Sequence, residues 1–356
     1  MKTRLLFLVT IILLTLFGVA RGVTVATPPV GYFRLDAGGG RDNWISLPLV
    51  RRSESIRRID SIGPASLSLS GSALIANAYA PSATGSYYVQ FVSGNLAGLS
   101  YKIISNTANE VTLATLGDDL SAHVLGAINS GPAGDLVRIR PFWTVADIFG
   151  RENAGLLLDP VSALDATIYT EADALLFPDN QTIATEKAPA AVVAYVAGQG
   201  WRRQGQPATD SGADEFPPGV PFILRRENTT PISTFIVGYV SQEPGLIRLP
   251  ALAAAGETDV AVGLFHPGPM QMADLGLVGT MENSADADSA HDLLLSPSDI
   301  RNGFSVPPAH RLHLVNGAWF EGDTPADGRT LQSGTGFILR VRGGRTVRYW
   351  RQTITN

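Results

Sequence analysis

Phe222-Ile223-Leu224-Arg225 recurs letter for letter as Phe337-Ile338-Leu339-Arg340, and the reading of the chain starts from that pair. From Phe337 to Arg342 the residues alternate. Phe337, Leu339 and Val341 fall on one face, Ile338, Arg340 and Arg342 on the other. Successive side chains of a strand point to opposite faces, so the pattern predicts a strand with one face against a core. Other blocks recur in the same order around it. Val30-Gly31-Tyr32 returns as Val237-Gly238-Tyr239, and Asp42 to Leu49 resembles Asp259 to His266. Ala146-Asp147-Ile148 pairs with Ala273-Asp274-Leu275, Asp173 to Leu176 with Asp292 to Leu295, and Trp201 with Trp319. The offset between matched residues drops after Leu49, which places an insertion of roughly 90 residues in the first half before Ala146.

Each block reads as a short strand. Val192 to Tyr195 and Arg311 to Val315 each lead into a glycine-containing turn and then a tryptophan, a hairpin signal. Trp201 and Trp319 should therefore stand at matching strand starts and cover the end of a core, with Phe222 and Phe337 matched likewise. The competing reading makes the two tryptophans exposed platforms for sugar rings. Helical signal is confined to single turns at Thr144 to Phe149, Met270 to Leu275 and Ser298 to Ile300. Inside the insertion, Tyr87 to Val92, Gly98 to Ile104, Glu110 to Ala114 and Leu136 to Arg140 are strand-like, separated by turn residues. Five or six short strands in so few residues suggest a small barrel or meander with few contacts to the rest. The expected fold is all-β: two related sandwich-like or barrel-like halves, an inserted small β-barrel, and short helical turns only. The corresponding units are 23–52 with 141–236, the insertion 53–140, and 237–356.

The first 22 residues carry the signature of a secretory signal peptide. Lys2 and Arg4 precede an apolar run from Leu5 to Phe17, and small residues allow a cut after Ala20 or Gly22. A membrane anchor is the alternative, but the run is short of the ~20 apolar residues a spanning helix needs. No second stretch reaches that length. The chain has no cysteine, which removes disulfides and thiolate metal sites. Charged residues make up 17%, while glycines number 37 and prolines 23, a balance of many turns and few amphipathic helices. A net charge of −5 argues against general nucleic-acid binding.

Several of these segments together carry a resemblance. They are Val30-Gly31-Tyr32, Trp44 to Pro48, Tyr87-Tyr88-Val89, Ser93-Gly94, Gly98, Tyr101, Ile103, Asn106-Thr107, Gly117 to Leu120, Gly134-Asp135 and Trp143-Thr144. The Asn316-Gly317-Ala318-Trp319 turn and the two Phe-Ile-Leu-Arg strands complete the series. In this order they resemble a family of uncharacterised exported proteins found as many paralogues in verrucomicrobial bacteria. The chain departs from that pattern at Tyr195 to Gly200, where an aromatic strand before Asn-Gly-x-Trp is usual. The resemblance implies export and this architecture, and no activity.

Chemical motifs are scarce. There is no G-x-S-x-G elbow, Walker loop or H-E-x-x-H. The histidines are His123, His266, His291, His310 and His313; the last two fall on opposite faces of a strand, unlike a converging metal pair. Gly38-Gly39-Gly40 reads as a hairpin loop rather than a phosphate cradle. Asp286, Asp288 and Asp292 resemble part of a calcium loop but lack its sixth-position glycine and twelfth-position glutamate. Glu171, Asp173, Glu215 and Glu321 are the carboxylates available for acid-base work. Two regions stand out. The loops after the paired tryptophans hold Asp210, Asp214 and Glu215 in one half, and Glu321, Asp323 and Asp327 in the other. Oxygen-rich loops suit calcium, although solvated loops carry the same composition. The C-terminal arginines Arg340, Arg342, Arg345, Arg348 and Arg351 form the second region. Arg340 and Arg342 share a face, open to an anionic glycan or to ion pairing with the acidic loops. The functional expectation is an exported, non-enzymatic binding protein or cell-surface or matrix component, its partner an extracellular glycan or cell-envelope component. The alternatives are an extracellular polysaccharide hydrolase and, more weakly, an outer-membrane β-barrel.

Overall fold

The computed structural model describes residues 29–71, 74–127, 134–153, 158–161, 172–252, 256–284, 292–296, 308–343 and 346–352. The signal segment, Glu171, Asp286, Asp288, His291, Ser298 to Ile300 and Arg345 lie outside these residues. The fold is all-β, with two six-stranded antiparallel sheets and a closed six-stranded barrel. Helix is limited to Val145–Phe149 and the single 3-10 turns Leu120–Ala122 and Met272–Asp274 among the described residues. No helix there is long and apolar enough to cross a membrane.

The first sheet runs Gln206–Asp210, Gly200–Arg203, Ala191–Val196, Ala174–Phe177, Phe222–Arg225, Asp42–Ile45. The second runs Thr324–Pro325, Ala318–Glu321, His310–Val315, Leu293–Ser296, Gly336–Arg342, Glu257–Gly263. Residues matched in sequence hold matching places in these two orders. Phe222 and Leu224 point into one core with Trp201, while Ile223 packs in a second cluster on the opposite face. Phe337, Leu339 and Val341 enter the core of Trp319 and Trp350, the alternation that the sequence displays. Trp201 and Trp319 are 1% and 0% exposed, which excludes sugar-stacking platforms. Asn316 and Gly317, both at positive φ, make the two-residue turn that feeds Trp319.

Val30–Ala37 pairs along its length with Ile232–Val240, forming a ribbon in which Gly31 lies opposite Gly238. These glycines are a packing requirement. A Cβ on Gly31 would stand 2.9 Å from the Leu49 side chain, and one on Gly238 3.1 Å from the Trp143 ring. Ile232–Val240 is one continuous strand across the expected boundary at 236/237. The Val-Gly-Tyr match opens the first of these strands at Val30 but lies near the end of the second at Val237. The Gly38-Gly39-Gly40 segment is no hairpin loop. It links the ribbon to the first sheet, whose strands do not pair with it. A Cβ on Gly39 would lie 2.1 Å from the Thr229 carbonyl, which is why the loop is glycine. The two sheets also meet reciprocally: Ser46 donates its N–H to Gly334, and Gly263 donates its own to Gly219, at 2.8 and 2.9 Å.

The barrel is built from Ser55–Ile62, Ser66–Leu69, Glu110–Ala114, Ser100–Asn106, Tyr87–Phe91 and Leu136–Pro141, the last closing on the first. Its interior is filled by Ile59, Leu67, Val89, Phe91, Ile103, Val111, Val137 and Ile139. The expectation of few outside contacts fails. A two-stranded ribbon, Gly245–Leu249 with Arg348–Gln352, is shared between two cores. Leu246 joins the barrel core, whereas Leu249 and Trp350 join the core of the second sheet. Alternation along the strand does this, since Tyr349 packs against the barrel and its neighbour Trp350 against the sheet. Glu243 bonds Arg138 at 3.1 Å, and Arg351 donates to the carbonyls of Asn95 and Ala97.

Candidate binding surface

Most of the described carboxylates singled out in sequence are occupied one by one rather than gathered. Asp210 stands 3.7 Å from both Arg151 and Arg202, and Asp214 binds Arg203 at 2.9 Å. Glu215 sits where barrel and first sheet meet, bonded to Lys102 at 2.5 Å and to the Ser86 hydroxyl. In the second half, Glu321 binds His310 and Arg329, each at 2.7 Å, and the His310 bond holds its carboxyl below the usual range. Asp327 accepts the Trp319 N–H at 2.8 Å, and Asp323 lies exposed in a hairpin tip. Among the described residues no three of His, Asp and Glu cluster where a metal ion could be held.

Arg340 and Arg342 face a neighbouring strand, not the acidic loops. Arg340 forks onto Asp259 at 2.7 and 2.9 Å, and Arg342 bonds Glu257 at 2.9 Å. The first sheet has the matching pair, Arg225 forking onto Asp42 at 2.7 and 2.6 Å. Asp173 and Asp292 are a second matched device. Asp173 accepts the N–H groups of Asp159 and Glu227, with Arg226 2.8 Å away at an angle too poor for a hydrogen bond. Burial pushes its carboxyl up despite those partners. Asp292 accepts the N–H groups of Glu282 and Arg342 and a bond from Arg348. It is therefore a buried interior tie. His313 is buried at 2% exposure, away from His310.

What the fold leaves open is the outer face of the long ribbon and a groove at its side. Alternate residues point outward, and Val30, Tyr32, Phe235 and Val237 are 55%, 74%, 67% and 51% exposed. The register sets Tyr32 beside Val237 and Arg34 beside Phe235. Arg34 bonds Asp36 at 2.8 Å, and Ser233 followed by Arg34 hold the Asp36 carboxyl below its ordinary value. Both side chains also line a cavity of about 350 Å³ with Arg41, Asp42, Asn43, Trp44 and the Ser333–Gly336 backbone. Asn43 holds its floor, accepting from the Gly38 N–H and donating to the carbonyls of Gly38, Arg41 and Leu224. Trp44 is half-buried there, packed partly against the second cluster of the first sheet.

None of Tyr32, Arg34, Asp36, Trp44 or Phe235 stands out as a site residue in the sequence. One signal was available: around Val30-Gly31-Tyr32 large apolar residues occupy the face opposite the glycine, which a strand with a single buried face does not need. Fold and surface together define an all-β protein with a polar groove beside an exposed aromatic ribbon. Comparison with known proteins finds no matching family, no matching curated protein and no matching solved structure.

Proposed function

We propose that this is an exported, non-enzymatic protein of the cell surface or extracellular matrix, and that the groove beside Trp44 holds an extracellular glycan. The groove carries the reading. It sets an indole next to the Arg34–Asp36 pair and Arg41, in a concave space large enough for a short run of sugar rings. An aromatic face receives the apolar side of a pyranose while charged, planar groups bond its hydroxyls. Export is supported by Lys2, Arg4 and the apolar run Leu5 to Phe17. The non-enzymatic reading rests on how the groove carboxylates are used. Asp42 is forked by Arg225, and Asp36 bonds Arg34 with Ser233 and Arg34 holding its carboxyl below its ordinary value, so each groove carboxylate already has a partner within the protein. The two sheets, with matched residues at matched places, fit two copies of one ancestral unit.

A glycan array with protein recovered from the culture medium tests this. Its first residue should lie between Arg21 and Thr27, and Trp44→Ala should weaken glycan binding at least about tenfold. Undiminished binding by Trp44→Ala, or polysaccharide cleavage that disappears in Asp36→Asn, overturns the proposal.

A further inference from the structure

We propose that Tyr101, Asp118, His123 and Tyr349 form a site for a trivalent metal ion, ferric iron by its chemistry, where the barrel meets the second half. The four residues come from separate places. Tyr101 lies on the barrel strand Ser100–Asn106, and Tyr349 on Arg348–Gln352 near the end of the chain. Asp118 follows a tight turn in which Leu116 and Gly117 both have positive φ, and His123 ends the 3-10 turn Leu120–Ala122. Their donor atoms converge. Tyr101 and Tyr349 both donate to Asp118 Oδ2, the latter at 2.8 Å. His123 Nε2 lies 2.9 Å from Asp118 Oδ1 and 3.1 Å from the Tyr349 oxygen. Ligand atoms about 2.0–2.1 Å from an octahedral ion stand about 2.8–3.0 Å apart when at right angles to one another. The hydrogen bonds thus already hold three oxygens and a nitrogen near the spacing that such an ion imposes. The set contains only two residues of the usual His, Asp and Glu kind, and phenol oxygens supply the rest.

The donors select the ion. Two phenolates and one carboxylate carry three negative charges. A trivalent ion cancels them, whereas a divalent ion leaves a net charge where Tyr101 is 5% exposed and the Asp118 side chain 9%. Calcium takes about six to eight oxygens, largely carboxylate and carbonyl, and zinc favours thiolate and imidazole. Phenolate is an established ligand of iron. On binding, each phenol O–H breaks as its oxygen bonds the ion. Two protons pass to solvent, and the imidazole keeps its proton on Nδ1 so that Nε2 coordinates. Four protein donors leave two of six positions. Arg248 lies opposite Tyr349 in the ribbon, and its buried Nε finds no acceptor among the described residues. A small anion from solution, drawn to that guanidinium, completes the shell. Because the donors belong to the barrel and to the second half, the ion also fastens one to the other.

Ferric ion delivered to the mature chain as its nitrilotriacetate complex should give a visible phenolate-to-iron charge-transfer band that saturates at one equivalent. Tyr349→Phe should lower that band by about half, since one of two phenolates is gone, and Tyr101→Phe/Tyr349→Phe should abolish it. Tyr32→Phe, at a tyrosine 74% exposed on the long ribbon, should keep it. A second readout needs no variant. In the unaltered chain, ferric ion should slow amide exchange at least about tenfold in the peptides around Tyr101, Asp118 to His123 and Tyr349 together. No band in the intact chain, a band that survives the double substitution, or protection by zinc or calcium and not by ferric ion overturns the proposal. The site shares no residue with the groove, so Trp44→Ala should bind iron as the intact chain does, and groove and metal site stand or fail separately.

Discussion

Trp201 and Trp319 hold matching places but not matching hydrogen bonds. Trp201 donates Nε1–H to the Gly150 carbonyl at 2.8 Å, whereas Trp319 Nε1 is buried and finds no acceptor among the described residues. Replacing Trp201 by Phe creates a cavity and strands a carbonyl; replacing Trp319 by Phe creates a cavity but removes an unsatisfied donor. Urea unfolding should therefore show Trp201→Phe destabilising by about 2–3 kcal/mol and Trp319→Phe by no more than about 1 kcal/mol. Equal losses would mean the hydrogen bond carries no weight. The forked pairs also diverge. Asp42→Ala removes the carboxylate from Arg225, which is 3% exposed, and should cost about 3 kcal/mol. Asp259 has a further task, accepting the Glu186 N–H at 2.9 Å. Asp259→Ala should free the segment around Lys187, so a lysine-specific protease should cut there about tenfold faster than in the wild type. At this scale the sequence displays the burial of Trp201, Trp319, Phe222 and Phe337, because a large apolar side chain at a strand position has few other places to go. It hides the Asp42–Arg225 and Asp259–Arg340 pairs, since each arginine equally well suits a solvated face until the partner strand is known.

At the scale of elements, the Gly245–Leu249/Arg348–Gln352 ribbon shows where local patterning stops being informative. Leu246 and Tyr349 alternate as residues of any half-buried strand do, and nothing in that alternation says that one face belongs to a barrel far earlier in the chain. The inserted strands were legible because turns punctuate them closely; their docking was not, because it depends on side chains from the other end of the molecule. Asp118 lies at the centre of that docking. It accepts hydrogen bonds from Tyr101 and from Tyr349 at 2.8 Å, and His123 Nε2 lies 2.9 Å away. Burial alone would raise its carboxyl, but Tyr101, His123 and Tyr349 outweigh that and hold it below 3.8. The sign follows directly. A carboxylate with a depressed folded pKa stabilises the fold fully above its unfolded value and loses that contribution as pH falls through the folded value. The junction should thus stay docked down to about pH 4 and loosen only below it. Tyr349→Phe removes one donor and should move this acid limb upward, read as tyrosine fluorescence or barrel-specific hydrogen exchange against pH. An acid limb unmoved by Tyr349→Phe would show that Asp118 does not hold the junction.

For the whole molecule, the question is whether the barrel is an appendage or a structural part. Its own six strands close and fill an interior, the condition for independent folding, and the chain enters and leaves it through adjacent strands, Ser55–Ile62 and Leu136–Pro141. Against independence stand its contacts with the second half. Leu246 is 4% exposed within the barrel core, and the Pro244 carbonyl lies where a Cβ on Gly98 would be, at 1.9 Å, so the two backbones touch. Removing 53–140 and joining the flanks should leave both sheets able to form, because their cores contain no barrel residue. The same cut uncovers Leu246 and Tyr349 side by side with Glu243, which loses Arg138. Exposing one buried leucine costs about 2–3 kcal/mol, and the larger consequence is a new apolar patch on a two-stranded ribbon. The deletion protein should accordingly scatter light as aggregates at micromolar concentration, and adding Leu246→Ser with Tyr349→Ser should return it to a monomer with native-like near-ultraviolet dichroism. A plain deletion as soluble and stable as the intact chain would make the barrel an appendage. Aggregation that persists in the doubly substituted deletion would mean that the sheets themselves depend on it.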